Sequence, residues 1–160
     1  MTPELLAELS RLPLFPRGAR DLIRVAGLDG AAQLVTAWPG QQFPVPAVIG
    51  GGNPAGARRW EQLVEIVGEP VATRIVKWAP GADLYIPSLK EVAWSRTLDQ
   101  IRADFDRLTT TGGGYSRREA IFELGLKYDC SRTAIVNALA KPDNVLGEAA
   151  TDAPLQGALF

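Results

Sequence analysis

The sequence predicts a mainly α protein: a tandem helix–helix–short-strand repeat with a C-terminal helix-turn-helix. Three observations carry this. The text DLIRVAGLDGAAQLVTAWPGQQFPVP from Asp21 recurs as QLVEIVGEPVATRIVKWAPGADLYIP from Gln62, 41 residues on and without a gap, and self-similarity at such a spacing marks a repeated supersecondary unit. The stretch IFELGLKYDCSRTAIVNAL, residues 121–139, reads as two short helices joined by a tight turn. At 160 residues and 46% hydrophobic content the chain can bury a core.

Composition limits what else is possible. No run of about 18 apolar residues and no basic-then-apolar leader is present, so neither a membrane span nor a signal peptide is expected, and a cytoplasmic location follows. One cysteine cannot form an intramolecular disulfide. The absence of histidine removes zinc sites of the Cys–His kind and Ser–His or Cys–His catalysis. No acid–base pair is nominated either, so the expectation is a protein that is not an enzyme, with no catalytic residue, no metal and no cofactor. The net charge is −1 and the pI about 5.5. Arg117, Arg118, Lys127, Arg132 and Lys141 nevertheless make the two-helix stretch more basic than the tail after Pro142.

Taken in order, Thr2-Pro3-Glu4 supplies an N-cap, a proline at the first helical position and an acid in the first turn, predicting a helix through Leu12 ended by Pro13 and Pro16. Each repeat copy then reads as helix, Gly break, second helix, Pro-Gly turn and strand. Gly27 matches Gly68, Leu34 matches Ile75, Pro39-Gly40 matches Pro80-Gly81, and Pro46 matches Pro87. In the second copy Leu63, Val64, Ile66 and Val67 form one apolar face, continued by Val71, Ile75, Val76 and Trp78. The strands are Phe43-Pro44-Val45 and Leu84-Tyr85-Ile86. So short a strand must pair with another edge, either the other copy or a second subunit, and Pro44 makes the first an edge strand.

Between the copies, Val48 to Gly56 has the outline of a phosphate-cradling loop but lacks both G-x-G-x-x-G and Gly-Lys-Ser/Thr, so it is read as a flexible linker with a helix starting near Ala57. Ser88-Leu89-Lys90-Glu91 is a capping box opening a helix to about Leu108. Its apolar stripe is Leu89, Val92, Ala93, Ile101, Phe105 and Leu108, with Arg96, Arg102, Arg107, Asp99, Asp104 and Asp106 on the wet side. Thr109 to Gly114 reads as a hinge, and Ser116-Arg117-Arg118-Glu119 as a second capping box. The expected domains are 1–56 (N-terminal helix, first copy and linker), 57–108 (second copy and long helix, for assembly), 115–141 (helix-turn-helix) and 142–160 (flexible tail).

In the two-helix stretch Leu124, Gly125 and Tyr128 face inward, Asp129-Cys130-Ser131 makes the break, and Ile135, Ala138 and Leu139 point back at the first helix. That leaves Ser131, Arg132, Thr133, Val136, Asn137 and Ala140 outward. Arg pairs bidentately with guanine and Asn with adenine, and Thr or Val methyls touch the thymine methyl. Arg132, Thr133, Val136 and Asn137 are therefore the candidate base-reading residues. Tyr115, Arg117, Arg118, Lys127, Ser131 and Lys141 are the candidate phosphate contacts. The implied partner is double-stranded DNA.

The ordered series EQLVEIVGEPVATRIVKWAPGADLYIP, IRADFDRL, a Gly-containing link and LGLKYDCSRTAIVNAL resembles the Mor transcription activator family of Mu-like phages and prophages, over about residues 62–139. The resemblance implies a dimer joined through its helical and strand segment, with Leu84, Tyr85 and Ile86 in the dimerisation strand. It further implies a promoter-binding helix-turn-helix carrying Arg132, Thr133 and Asn137, and recruitment of RNA polymerase. This chain departs from the family in its added upstream copy, which offers an intramolecular pseudo-dimer in place of a homodimer, in Asp129 where a turn glycine is common, and in its acidic balance.

The C-terminal Gln156-Gly157-Ala158-Leu159-Phe160 resembles the peptide that binds the bacterial sliding clamp, with Gln156, Leu159 and Phe160 at the matching positions. A non-catalytic adaptor that binds a protein partner through this tail is the alternative to a DNA-binding transcription regulator of phage or prophage type.

Overall fold

A computed structural model describes residues 1–110 and 112–141. Among these residues there are seven helices and one two-stranded sheet, so the protein is mainly α. No helix among them is long and apolar enough to cross a membrane. Gln156, Leu159 and Phe160 lie outside the described residues. The chain divides into a first unit, Met1–Lys90, and a second that starts at Glu91.

The first unit opens with α1, Pro3–Leu9, capped by the Thr2 hydroxyl, which accepts the Leu5 N–H at 3.1 Å. It stops short of the expected Leu12. Pro13 disfavours helical backbone at the residue before it, and the Ser10 carbonyl leaves the helix to accept Arg20 Nη1 at 2.7 Å. Next comes α2, Arg17–Ala37, broken at Gly27 with φ 78° and ψ 169°. β1, Gln42–Pro44, comes after a turn with Gly40 at φ 75°. Then α3, Pro54–Val67, ends at Gly68 with φ 85° and ψ 161°, and α4, Glu69–Trp78, leads through Gly81 at φ 71° to β2, Asp83–Tyr85.

Residues 41 apart thus share backbone geometry. Trp38 after α2 (φ −130°, ψ 52°) and Ala79 after α4 (φ −137°, ψ 57°) agree as closely as the two glycines do. Burial keeps the same spacing: Leu22 and Leu63, Leu34 and Ile75, Val35 and Val76, and Val45 and Ile86 are all buried.

The two strands pair with each other, antiparallel, with Gln42 opposite Tyr85, Phe43 opposite Leu84 and Pro44 opposite Asp83. The partner of Leu84 and Tyr85 is therefore the first strand of the same chain. Ile86 lies just past β2 but is buried and still donates its N–H to the Gln41 carbonyl at 2.8 Å. Trp38 stacks on Phe43 at 4.6 Å between ring centroids. Trp78, expected on the apolar face of α4, is exposed instead.

The glycine run between β1 and α3 is specified, not loose. Gly50, Gly51 and Gly52 all have positive φ, the Asn53 carboxamide accepts the Gly56 N–H at 2.7 Å, and α3 starts at Pro54, ahead of Ala57. A Cβ on Gly51 would lie 2.2 Å from the Ala57 nitrogen, so the loop is folded against the first turn of α3.

The second unit contains α5, Lys90–Thr109, α6, Arg117–Lys127, and α7, Arg132–Ala140. The Ser88 capping box is not formed: buried Leu89 takes φ 58°, which is not helical, and α5 begins after it. Nor does α5 group with the second copy, because Leu98 and Ile101 pack with Ile121, Leu124, Ile135 and Ala138 from the other two helices. Gly113, in the expected hinge, and Tyr115 fold back on the end of α5. The Tyr115 N–H donates to the Leu108 carbonyl at 3.0 Å, and a Cβ on Gly113 would lie 2.1 Å from that oxygen.

Candidate nucleic-acid interface

In the second unit α6 starts with the capping box expected at Ser116. The Glu119 N–H donates to Ser116 Oγ at 3.2 Å, and the Glu119 carboxylate accepts the Ser116 N–H at 2.9 Å. The Ser116 backbone N–H and then its hydroxyl hold the Glu119 carboxyl below the usual carboxylate range. At the other end of α6, Asp129 has φ 52° and makes the turn that a glycine would otherwise make, because a short polar side chain tolerates this backbone better than a bulky one. The Cys130 N–H donates to the Gly125 carbonyl at 3.0 Å, and a Cβ on Gly125 would sit 3.1 Å from the Cys130 oxygen, so any side chain there would have to displace that oxygen slightly. Ser131 then caps α7, accepting the Ala134 N–H at 3.1 Å.

Turn and cap together decide which face of α7 is wet. Ile135 and Ala138 are buried, whereas Ser131, Arg132, Thr133, Asn137 and Ala140 are exposed. Thr133 and Asn137, four residues apart, lie one above the other on the helix. Val136 is partly buried and packs on the core cluster, which corrects its expected place among the fully outward residues. Arg132 lines a groove of about 340 Å³ with Phe122, Gly125, Leu126 and Asp129, and Phe122 and Leu126 are exposed beside it.

Of the expected phosphate contacts, Tyr115, Arg118 and Lys141 are exposed. Ser131 is exposed, and its oxygen accepts the cap bond while its O–H keeps its capacity to donate. The Arg117 guanidinium lies over the Phe105 ring, 5.6 Å from its centroid, a cation–π placement that holds it near the start of α6. Lys127 differs: its ammonium is 2.6 Å from Asp104 Oδ2, so its charge is engaged within the fold.

The sequence places Arg102 and Asp104 on the wet side of α5, but both are buried. Arg102 Nε donates to the Ala138 carbonyl in the last turn of α7 at 3.0 Å, and its Nη1 to Asp99 Oδ1 at 2.9 Å. Asp104 accepts from Lys127 and from the Tyr128 hydroxyl, each at 2.6 Å, and from Arg107 at 2.7 Å. Two residues of α5 thus grip the ends of α7 and α6. Helical periodicity could have found them. At about 100° per residue they fall roughly 80° either side of the centre of the Leu98, Ile101, Phe105 and Leu108 stripe, the border where a charged stem can turn inward.

Burial alone would raise the Asp104 carboxyl, but the hydrogen bonds from Lys127, Tyr128 and Arg107, with the Lys127 charge, outweigh it and bring the pKa down to about 2. Burial pushes the Tyr128 hydroxyl up to about 12, helped by its bond to Asp104 and that residue's charge. The lowered carboxyl contributes stability above the unfolded pKa near 3.8 that is lost as pH falls through about 2. The raised phenol contributes stability below its ordinary pKa of 10.0 that is lost as pH rises through about 12. We expect Asp104→Asn to lower the stability of the second unit by about 2 kcal/mol at neutral pH and to reduce its acid sensitivity between about pH 4 and 2. Denaturant melts across that pH range check it; an unchanged acid slope would show that Asp104 is not the titrating group.

Among the described residues no group of three or more His, Cys, Asp or Glu side chains is placed to hold a metal ion. No family model, no curated protein and no solved structure matches this chain.

Proposed function

We propose that the chain is a sequence-specific double-stranded DNA-binding transcription regulator of phage or prophage type, in which α6 and α7 act as a helix-turn-helix and α7 enters the major groove. The observation that carries this is the wet face of α7: Arg132, Thr133 and Asn137 exposed together behind a serine cap, with no acidic side chain among them. Those are the side chains that read guanine, the thymine methyl and adenine. Arg102 braces α7 from behind and Asp104 braces the end of α6, which suits a part that must hold its position in a groove. Arg117, Arg118 and Tyr115 at the start of α6, with Lys141 after α7, are the assigned phosphate contacts. Lys127 is a weaker candidate because Asp104 holds it. The tandem repeat is read as a duplication whose two copies associate, and the phage assignment rests on the resemblance to the Mor family.

The test is selection of bound fragments from random-sequence duplex DNA, followed by two substitutions. One enriched sequence is expected. Arg132→Ala should weaken that sequence by about 1–3 kcal/mol more than random DNA. Arg117→Ala should weaken all sequences alike and reduce the salt dependence by about one phosphate contact. Absence of enrichment together with weak binding at low salt would overturn the proposal, and an equal loss on both DNAs would remove Arg132 from the reading role.

A further inference from the structure

We infer that the chain is a one-armed pseudo-dimer: the first unit holds within one chain a two-fold association of its two copies, only one copy carries a reading unit, and the duplex bound is a single non-palindromic half-site occupied by one chain. The DNA half of this inference rests on the function proposed above; the association half does not.

Exchanging the two copies leaves the pairing between them unchanged. Phe43 lies opposite Leu84, its own counterpart, and the flanking pairs exchange into one another. The Val45 N–H donates to the Ala82 carbonyl and the Ile86 N–H to the Gln41 carbonyl, each at 2.8 Å, which is one bond made twice with the copies swapped. Away from the sheet, a Cβ on Gly30 would lie 3.2 Å from Val71 Cγ1, and Val71 is the counterpart of Gly30. Two positions that each meet their own counterpart define an axis, the arrangement found where identical chains associate isologously. The apolar faces at Leu22, Leu34 and Val45 and at Leu63, Ile75 and Ile86 are buried in this one chain.

The segments leaving the two strands break the symmetry. After β2, Pro87, Ser88 and Leu89 lead into α5 and the reading unit. After β1, the matching Pro46, Ala47 and Val48 run straight into the glycine turn and the Asn53 cap of α3, with no space for an equivalent unit. Val48 is left 51% exposed where its counterpart Leu89 is 4% exposed. Paired reading helices require inverted half-sites about one helical turn apart. One reading helix per two-fold core removes that requirement.

The experiment measures the mass of the free chain by sedimentation equilibrium, and the number of chains on a selected duplex site and on its inverted repeat. One chain is expected free and one per site, with an enriched sequence that lacks inverted symmetry. On an inverted repeat two chains should bind independently, within about twofold of the single-site affinity. A two-chain free mass, or cooperative binding to the repeat by about tenfold or more, would overturn the inference. A one-chain mass with no binding to any duplex would support the association half while overturning the DNA half together with the proposed function.

Discussion

Gly51→Ala is expected to lower the stability of the first unit by about 3 kcal/mol or more, with thermal and denaturant melts as the measure. Two costs combine. At φ 99° Gly51 occupies backbone that an L side chain rarely adopts, and the added Cβ would meet backbone atoms of Ala57 and Gly56 at 2.2–2.4 Å. Those atoms belong to the first turn of α3, which is tied to the loop by the Asn53 cap, so relief requires the helix start to move. Gly50→Ala is the control. It has φ 82° but nothing within 4 Å of its Cβ position, so only the backbone cost of about 1 kcal/mol should appear. Equal effects of the two substitutions would mean that the loop yields and does not specify the start of α3.

Ile135→Ala should remove most of the stability of the second unit. Ile135 is fully buried between α5 and α6 in the cluster that holds the three helices together. Truncating such a side chain costs about 2–5 kcal/mol, whereas a unit of roughly 50 residues has only about 3–7 kcal/mol in total. The expected result is weaker specific DNA binding and faster exchange of the amides in α6 and α7, while amides in α2 and α4 keep their protection. Protection retained in α7 with binding intact would show that the cluster repacks around the cavity. Ile135→Val, which deletes one methyl, should cost about 1 kcal/mol and leave binding measurable.

How far these features are legible in the sequence depends on the range of their causes. The breaks at Gly27 and Gly68, the caps at Thr2, Ser116 and Ser131, and the turn at Asp129 depend on residues within a few positions of one another, and local chemistry finds them. Sequence and structure part where a distant partner decides. Glycines 50 to 52 are a nearer case: Gly56 and Ala57, five and six residues after Gly51, pin the run by a close backbone approach that residue types alone do not announce. Ser88 and Glu91 have the spacing of a capping box, yet burial of Leu89 in a left-handed backbone overrides it. Arg102 and Asp104 are assigned to water because they are charged, whereas the Ala138 carbonyl, Lys127 and Tyr128 are the partners that draw them in. The packing of α5 with α6 and α7 has the same origin, because its partners lie further along the chain.

The small-against-large meeting of Gly30 and Val71 has a consequence for how this protein can change. A homodimer must place the same residue on both sides of its axis, so an on-axis contact always joins two side chains of one size. Here the methyl groups of Val71 fill the space that Gly30 leaves, and Phe43 meets Leu84 with Trp38 stacked behind it where the other copy has Ala79. Each side of the seam is encoded on its own. A substitution at Gly30 is therefore not mirrored at Val71, and the two halves are free to drift into complementary shapes that no self-associating chain could reach.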